Sequence, residues 1–211
     1  MTPGDRLQAG LAAMGLGLAA ATQSKLLGYL GLLSKWNRTY NLTAIRGESE
    51  MVTQHLLDSL SVLIALPESA LAQRRWVDVG SGAGLPGIPL AIARPDLAMT
   101  LVESVEKKSA FQRQAKIELS LSNLTVLNAR VEDVPSGRFD AVISRAFADL
   151  TDFANVAGHL IVQGGRLYAM KGTAPKDEIQ RLSPGWAVLG STRLNVPELD
   201  AQRHLIVLER V

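Results

Sequence analysis

The spacing of apolar residues along the chain changes character near residue 74. Before that point leucines recur at intervals of three and four positions, which predicts a helix that ends at about Asn37. A second apolar stripe of the same period predicts a helix from about Ser49 to Leu66, ending before Pro67. We therefore expect residues 1–70 to form a helical cap.

From Arg75 onward, short apolar runs alternate with amphipathic stretches of helical period. Apolar runs separated by helices are typical of a parallel sheet that is covered on both faces and has right-handed crossovers. The runs that fit this pattern are RWVDVG, MTLVES, LTVLNA, FDAVISR and GRLYAMK.

The last two apolar segments, Trp186 to Asn195 and His204 to Val211, are separated by only eight residues. A parallel crossover needs about a dozen residues or more, so these segments are expected to pair as an antiparallel hairpin. Residues 71–211 are therefore predicted to form a doubly wound, Rossmann-like α/β domain. We expect seven mostly parallel strands with the last one reversed, and a cap that completes one compact unit.

Composition excludes several classes of chemistry. Of the 211 residues, 47% are hydrophobic and 20% are charged, as in ordinary globular proteins. The sequence has no cysteine, which excludes disulfides, thiolate metal sites and cysteine nucleophiles, and which fits a reducing cytoplasm. Its three histidines lie far apart along the chain, so no metal site is expected.

Charge and hydropathy add two limits. The uncharged run from Leu7 to Gln23 is interrupted by glycine and falls short of the roughly 20 residues that span a bilayer, so no membrane partner is expected. The net charge of +2 permits nucleic-acid binding without requiring it, because a phosphate footprint is a local patch. Composition alone therefore leaves the function open.

The most informative segment lies between Val77 and Gly87, where four glycines occupy the turn from a strand into a helix. Glycine lets the backbone turn sharply and approach a ligand, and a helix N-terminus favours an anionic or polar group. Two cofactor classes fit this segment. Gly82, Gly84 and Gly87 match G-x-G-x-x-G, which is typical of NAD binding, whereas D-x-G-x-G-x-G from Asp78 onward is typical of S-adenosylmethionine binding.

The closing hairpin favours S-adenosylmethionine, because a plain dinucleotide-binding fold would more often add a sixth parallel strand. Glu103 ends the next strand and is expected to accept hydrogen bonds from ribose hydroxyls. Val131 and Glu132 follow the third strand and are candidates for an adenine pocket. The loop residues expected at the cofactor are Asp78, Gly80, Ser81, Gly82 and Gly84.

The fourth strand ends in Arg145, where many methyltransferases of exocyclic amines carry Asp or Asn followed by prolines. An exocyclic amine must lose a proton around methyl transfer and benefits from acceptor groups, whereas guanine N7 already offers a lone pair. Arg145 therefore fits an N7 acceptor, with catalysis by orientation and no general base. It is predicted to hold the donor's carboxylate, an RNA phosphate or both, with a surface salt bridge as the alternative.

Further basic groups lie at the ends of the fifth and last strands and on the cap. They are candidates for contacts with RNA phosphates, although a solvated face is the ordinary explanation of such side chains. On the cap, His55 and Asp58 lie three residues apart on one helical face and fit a core pair as well as a substrate contact. The candidate RNA-binding residues are Arg38, Arg46, Lys171, Arg203 and His204.

A series of motifs, taken in order and spacing, is more specific than the glycine loop alone. They are Asn41-Leu42-Thr43, His55-Leu56-Leu57-Asp58-Ser59, the loop from Asp78 to Pro89, Ser144-Arg145-Ala146-Phe147, Lys171-Gly172 and Arg203-His204-Leu205. In these motifs, which extend over nearly the whole chain, the sequence resembles the ribosomal small-subunit methyltransferase G family, also called glucose-inhibited division protein B.

The resemblance implies a class I methyltransferase fold in a bacterial cytoplasmic enzyme. Such an enzyme transfers a methyl group from S-adenosylmethionine to N7 of a single guanine in the 530 loop of 16S ribosomal RNA, presented as naked RNA or in the 30S particle. The resemblance places Arg145 beside the donor and the guanine. The other contacts that it implies are with Gly80, Leu85, Glu103, Val131 and Glu132.

Three alternatives stay open on the sequence. One is a methyltransferase for another substrate, and a second is a non-catalytic RNA-binding module that retains the donor fold. The third is an NAD(P)-dependent oxidoreductase, although the sequence has no Tyr-x-x-x-Lys pair for hydride transfer.

Overall fold

The computed structural model describes residues 1–72 and 74–211, and within them the strands form a seven-stranded sheet. The strands are β1 (Arg75–Val79), β2 (Ala98–Val102), β3 (Leu124–Leu127), β4 (Phe139–Ser144), β5 (Ile161–Lys171), β6 (Trp186–Arg193) and β7 (His204–Arg210). Their order is β3-β2-β1-β4-β5-β7-β6, and β7 runs antiparallel to both β5 and β6 while the remaining pairs are parallel. The predicted sheet and its closing hairpin are confirmed.

Helices cover both faces of the sheet. They are α1 (Pro3–Ala13), α2 (Ala20–Tyr40), α3 (Glu48–Met51), α4 (Asp58–Ala65), α5 (Glu68–Leu71), α6 (Gly87–Ala93), α7 (Glu106–Glu118), α8 (Leu150–Ala157) and α9 (Lys176–Gln180). A π-helical segment occupies Val52–Leu57, and 3-10 turns occupy Val131–Asp133 and Gly158–Leu160.

Alternate residues of β1 face opposite sides of the sheet, as the pleat of a strand requires. Trp76 packs in a core that also contains Leu26 of α2 and Leu56 of the π-helical segment. Val77 packs on the other face, in a core with Phe153 of α8. The cap and the sheet therefore share one hydrophobic core, and the division of the chain at residue 70 stays a prediction.

The long cap helix α2 continues to Tyr40, three residues beyond the predicted end at Asn37. It ends there because Asn41 adopts a left-handed conformation with φ of 48°. The backbone N–H of Asn41 donates to the carbonyl of Asn37, as at many helix C-termini. This end of the helix carries the segment 42–46 toward the glycine loop.

The second predicted cap helix, from Ser49 to Leu66, is interrupted by a six-residue π-helical segment at Val52–Leu57. A π segment adds a residue to a turn, changes which side chains share a face and often marks functional sites. The apolar periodicity predicts the helix but does not reveal that the helix widens at this segment. As described below, the carbonyl of Gln54 in this segment accepts a hydrogen bond from outside the helix.

None of the helices in residues 1–72 and 74–211 is both long and apolar enough to cross a membrane. Over the same residues, no group of three or more His, Asp or Glu side chains is placed to hold a metal ion.

Candidate active site

The glycine loop follows β1 at the carboxyl edge of the sheet. Gly80 and Gly82 have φ of +65° and +58°, a region that favours glycine. A Cβ on Gly82 would meet only the carbonyl oxygen of Gly80, at 4.0 Å, so the space in front of Gly82 is open. A Cβ on Gly84 would instead collide with Ile88. Gly82 therefore leaves room for a ligand, whereas Gly84 serves the packing of the loop on α6.

Side chains from separate elements hold this loop. Glu103, after β2, accepts the Gly82 N–H with Oε2 at 2.8 Å and the Val105 N–H with Oε1 at 2.9 Å. Gln112 of α7 donates from Nε2 to Ser81 Oγ and to the Gly82 carbonyl, each at 2.8 Å. The loop is thereby fixed from two sides before a ligand binds.

Tyr29 and Gln112 also contact the loop, although neither belongs to a motif visible in the sequence. The hydroxyl of Tyr29 in α2 donates to the Ala83 carbonyl at 2.8 Å, so the cap is bonded directly to the loop. Both side chains are fully buried. A polar glutamine beside Phe111 on the buried face of α7 was a usable signal, since buried polar groups are usually hydrogen-bonded.

Asp78 lies behind the loop. Its Oδ2 accepts the Gly87 N–H at 2.8 Å, while its buried Oδ1 has no partner among the residues that the structure describes. Burial raises the pKa of Asp78 to about 7, against the lowering effects of the Gly87 N–H and the charge of Arg145. Asp78 therefore braces the turn into α6.

Two clefts meet at Gly80. The first, of about 370 Å³, lies over the ends of β2 and β3 and includes the predicted adenine residues. The second, of about 210 Å³, lies between the loop and the cap segment. The first is lined by Gly80, Val102, Ser104, Ala129, Arg130, Val131, Glu132, Phe147 and Val156. The second is lined by Leu42, Thr43, Gly80, Ser81, Gly82, Ala83, Leu85, Arg145 and Ala146.

The structure thus brings together most of the predicted cofactor residues. Val131 and Glu132 line the larger of these clefts, and Leu85 and Arg145 line the smaller one. The exceptions are Asp78, which lies behind the loop, Gly84, which packs the loop on α6, and Glu103, whose two carboxylate oxygens are bonded to backbone N–H groups.

A third cleft, of about 370 Å³, begins at Arg145, which also lines the smaller loop cleft. Here the structure brings together three of the predicted basic residues, which lie directly after β4, at the end of β5 and directly before β7. We call it the basic cleft, and it is lined by Gln54, His55, Arg145, Met170, Lys171, Gly172 and Arg203.

The basic residues of this cleft are not free surface groups. Lys171 is only 10% exposed, and its Nζ donates to Glu178 Oε2 at 2.8 Å and to the Ala148 carbonyl. His204, the neighbour of Lys171 across the β5–β7 pair, has its Nδ1 3.3 Å from the Gly172 carbonyl oxygen. Lys171 is therefore not part of a solvated face.

Arg145 and Arg203 share one buried carboxylate. Arg145 Nη1 donates to Asp58 Oδ2 at 2.9 Å and to the Gln54 carbonyl at 3.0 Å. Arg203 Nε donates to Asp58 Oδ1 at 3.0 Å. The Asp58 side chain is 0% exposed, while those of Arg145 and Arg203 are 29% and 25% exposed. The salt bridge named above as the alternative role of Arg145 thus exists, but the carboxylate in it is buried and does not lie at the surface.

His55, which the sequence places on one helical face with Asp58, contacts the cap segment that lines the smaller loop cleft. Its Nε2 lies 3.0 Å from Thr43 Oγ1, and Asn37 bonds the backbone of Thr43 and Ile45. Burial and the charge of Arg145 lower the pKa of His55 to about 4, so the ring is neutral at pH 7.

The remaining candidates, Arg38 and Arg46, lie outside these clefts. Both are exposed on the cap, and Arg46 Nη2 donates to Asn41 Oδ1 at 3.1 Å. They flank the segment that carries Thr43.

The sheet order, with a reversed seventh strand between the fifth and the sixth, and the glycine loop after β1 define a class I methyltransferase fold. Solved structures agree on the fold. TrmN from Thermus thermophilus matches with a TM-score of 0.57 and 21% identity over 76% of this chain and 53% of that one. A variant of the 16S rRNA (adenine(1408)-N(1))-methyltransferase from Catenulisporales acidiphilia matches with a TM-score of 0.53 and 19% identity, over 68% and 89%.

Sequence comparison identifies the family. The model of the rRNA small subunit methyltransferase G family matches residues 22–206. Proteins named ribosomal RNA small subunit methyltransferase G are 54% identical in Azoarcus sp. strain BH72, over all of this chain and 98% of the relative, and 56% identical in Aromatoleum aromaticum, over 97% of each. The chain belongs to the rRNA small subunit methyltransferase G family, which confirms the resemblance found in its motifs.

Proposed function

We propose that this protein is an enzyme that transfers a methyl group from S-adenosylmethionine to N7 of one guanine in the 530 loop of 16S ribosomal RNA. One observation carries the proposal: Arg145 lines both the smaller loop cleft and the basic cleft, at the junction between them. A donor on one side and an RNA nucleotide on the other would meet at this side chain. Family membership supports the same activity.

The loop clefts fit the donor. Their polar and apolar lining suits a nucleoside joined to an amino acid, with the adenine beside Val131 and Glu132 and the methionine part beside Gly82 and Leu85. Each oxygen of Glu103 accepts one backbone N–H, which leaves lone pairs for ribose hydroxyls. When bound, S-adenosylmethionine supplies an electrophilic methyl group on its sulfonium.

The lining of the smaller loop cleft favours an acceptor that needs no deprotonation. Its residues include no Asp or Glu, and Arg145 is its charged member. Guanine N7 offers an in-plane lone pair and no proton, whereas an exocyclic amine would need an acceptor group nearby. Arg145 therefore acts by orienting donor and acceptor, an effect capable of contributing on the order of 7–11 kcal/mol in favourable cases.

The basic cleft is the proposed approach for the RNA backbone. Three positive groups, on Arg145, Lys171 and Arg203, face two negative groups, on Asp58 and Glu178, which leaves a net positive charge. Such a charge attracts phosphate, and contacts with phosphate position the RNA without reading its sequence.

The cap of residues 1–70 contributes Gln54 and His55 to the basic cleft and Thr43 to the loop cleft, so in this account it forms the acceptor side. We propose that His204, Arg38 and Arg46 add outer contacts with the 30S particle. The enzyme would then work in the cytoplasm.

The test uses the purified protein with S-adenosylmethionine labelled in its methyl group. Small-subunit particles from a strain that lacks this enzyme serve as substrate, and large-subunit particles serve as the control. We expect label in 16S rRNA alone and saturable binding of the donor. Binding of NADH without binding of the donor, or equal labelling of both subunits, would contradict the proposal.

A further inference from the structure

We propose that Asp58 is a positioning residue, which fixes the guanidinium groups of Arg145 and Arg203 before the RNA arrives. The proposal rests on the proposed function and names a residue through which the basic cleft is organised. Asp58 itself does not line any of the three clefts described above.

The geometry divides the carboxylate between two partners. Oδ2 of Asp58 accepts from Arg145 at 2.9 Å, and Oδ1 accepts from Arg203 at 3.0 Å. The arginines are 87 and 145 residues away in the chain, at the ends of different strands. Asp58 therefore joins three distant segments of the chain at the wall of the basic cleft.

The arginines keep donors for a ligand. Both contacts of Arg145 use Nη1, so its Nε and Nη2 have no hydrogen-bond partner within residues 1–72 and 74–211. Arg203 uses Nε and Nη1, which leaves its Nη2 unpaired over the same part of the chain. A guanidinium carries five N–H donors in a rigid fork, so one anchored edge fixes the direction of the others.

The location of Asp58 favours this role. A buried carboxylate is costly unless it is paired, and both of the partners found here line the basic cleft. The Gln54 carbonyl, in the π-helical segment before Asp58, accepts a hydrogen bond from Arg145 as well. The wall of the cleft is thus preorganised by a carboxylate that itself stays out of it.

The test compares Asp58→Asn with Asp140→Asn. Asp140 accepts from Arg75 Nη2 at 2.6 Å, so the control also removes one charge from an arginine pair, and it lies outside all three clefts. We expect Asp58→Asn to lower kcat for methyl transfer to 30S particles at least tenfold. KM for the particle should stay within twofold or fall, because an uncompensated positive charge remains. Donor affinity should stay within twofold, and Asp140→Asn should keep wild-type kinetics.

A double-mutant cycle separates positioning from stability. In an Arg145→Ala background, Asp58→Asn should lower kcat less than threefold further, because its main route of action is already lost. The assay is run well below the melting temperature of each variant. The positioning role would be overturned if Asp58→Asn lowered kcat equally in the wild-type and Arg145→Ala backgrounds. It would also be overturned if Asp58→Asn left kcat unchanged, with or without a raised KM.

If Asp58→Asn does not fold, Asp58→Glu supplies the second measurement. It keeps the charge and displaces the carboxylate by one methylene, so we expect kcat at least threefold below wild type at unchanged KM. A wild-type kcat would overturn the proposal. If the wild-type protein labels 16S rRNA and the Asp58 variants match it, only the positioning role is refuted. If the wild-type protein transfers no methyl group, the proposed function is refuted.

Discussion

Replacing Gly82 by alanine tests whether the loop after β1 is shaped for a ligand rather than for its own packing. Gly82 has φ of +58°, and a Cβ there would meet only the Gly80 carbonyl oxygen, at 4.0 Å. The new methyl group would therefore enter the loop cleft of about 210 Å³ without striking the protein. A loss of donor affinity would then report on the ligand space itself.

The effect on stability is small and can be calculated. A left-handed conformation costs alanine roughly 1–2 kcal/mol, and the stiffer unfolded chain returns about 0.4–1 kcal/mol. We therefore expect Gly82→Ala to lose about 1 kcal/mol and about 2–4 °C in Tm. Donor affinity should fall at least tenfold, which corresponds to about 1.4 kcal/mol of binding free energy.

Gly137 supplies the matched control. Its φ is +64°, and a Cβ there would have no neighbour within 4 Å, so Gly137→Ala carries the same backbone cost. It lines none of the three clefts. Thermal denaturation and calorimetric titration with S-adenosylmethionine should give similar Tm values for both variants and a lower affinity for Gly82→Ala alone. Equal donor affinities would refute the assignment of this space to the donor.

Three further substitutions test other parts of the site. Arg145→Ala should lower the rate of methyl transfer at least tenfold. Because it leaves Asp58 with one partner, it should also lower the free energy of unfolding in urea by about 1–3 kcal/mol. Turnover at the wild-type rate would contradict the role of Arg145. Tyr29→Phe removes the hydrogen bond to the Ala83 carbonyl and should also lower the free energy of unfolding by about 1–3 kcal/mol. An unchanged unfolding midpoint would contradict the role of this bond in joining the cap to the loop. Burial raises the pKa of Asp78 from 3.8 to about 7, so its contribution to the free energy of unfolding is full below pH 4 and is lost as pH rises to 7. The stability of wild type relative to Asp78→Asn should therefore fall by about 4 kcal/mol across that range, and a flat difference would refute the shift. The opposite slope from His55, whose pKa is lowered to about 4, cancels in this difference.

The architecture could be predicted because it follows from local patterns. Apolar runs and helical periods mark the strands and helices, and the short link before His204 forces the closing hairpin. The glycine loop was equally visible, since Gly80 and Gly82 adopt backbone conformations that other residues avoid.

The ion-pair network could not be predicted, because it depends on contacts between distant segments. Nothing local to Asp58 indicates that it binds arginines 87 and 145 residues away. The one signal was a carboxylate in the apolar stretch that follows His55, where an unpaired charge would be costly. Lys171 illustrates the converse, since a basic residue at a strand end looked solvated and is instead bonded to Glu178.

The most direct test of the central claim is mass mapping of 16S rRNA after incubation of this protein and S-adenosylmethionine with 30S particles from a strain that lacks the enzyme. We predict one new N7-methylguanine, located in the 530 loop, and at least tenfold less of it with Arg145→Ala at saturating donor. A methyl group on an exocyclic amine, or on a guanine outside that loop, would contradict it.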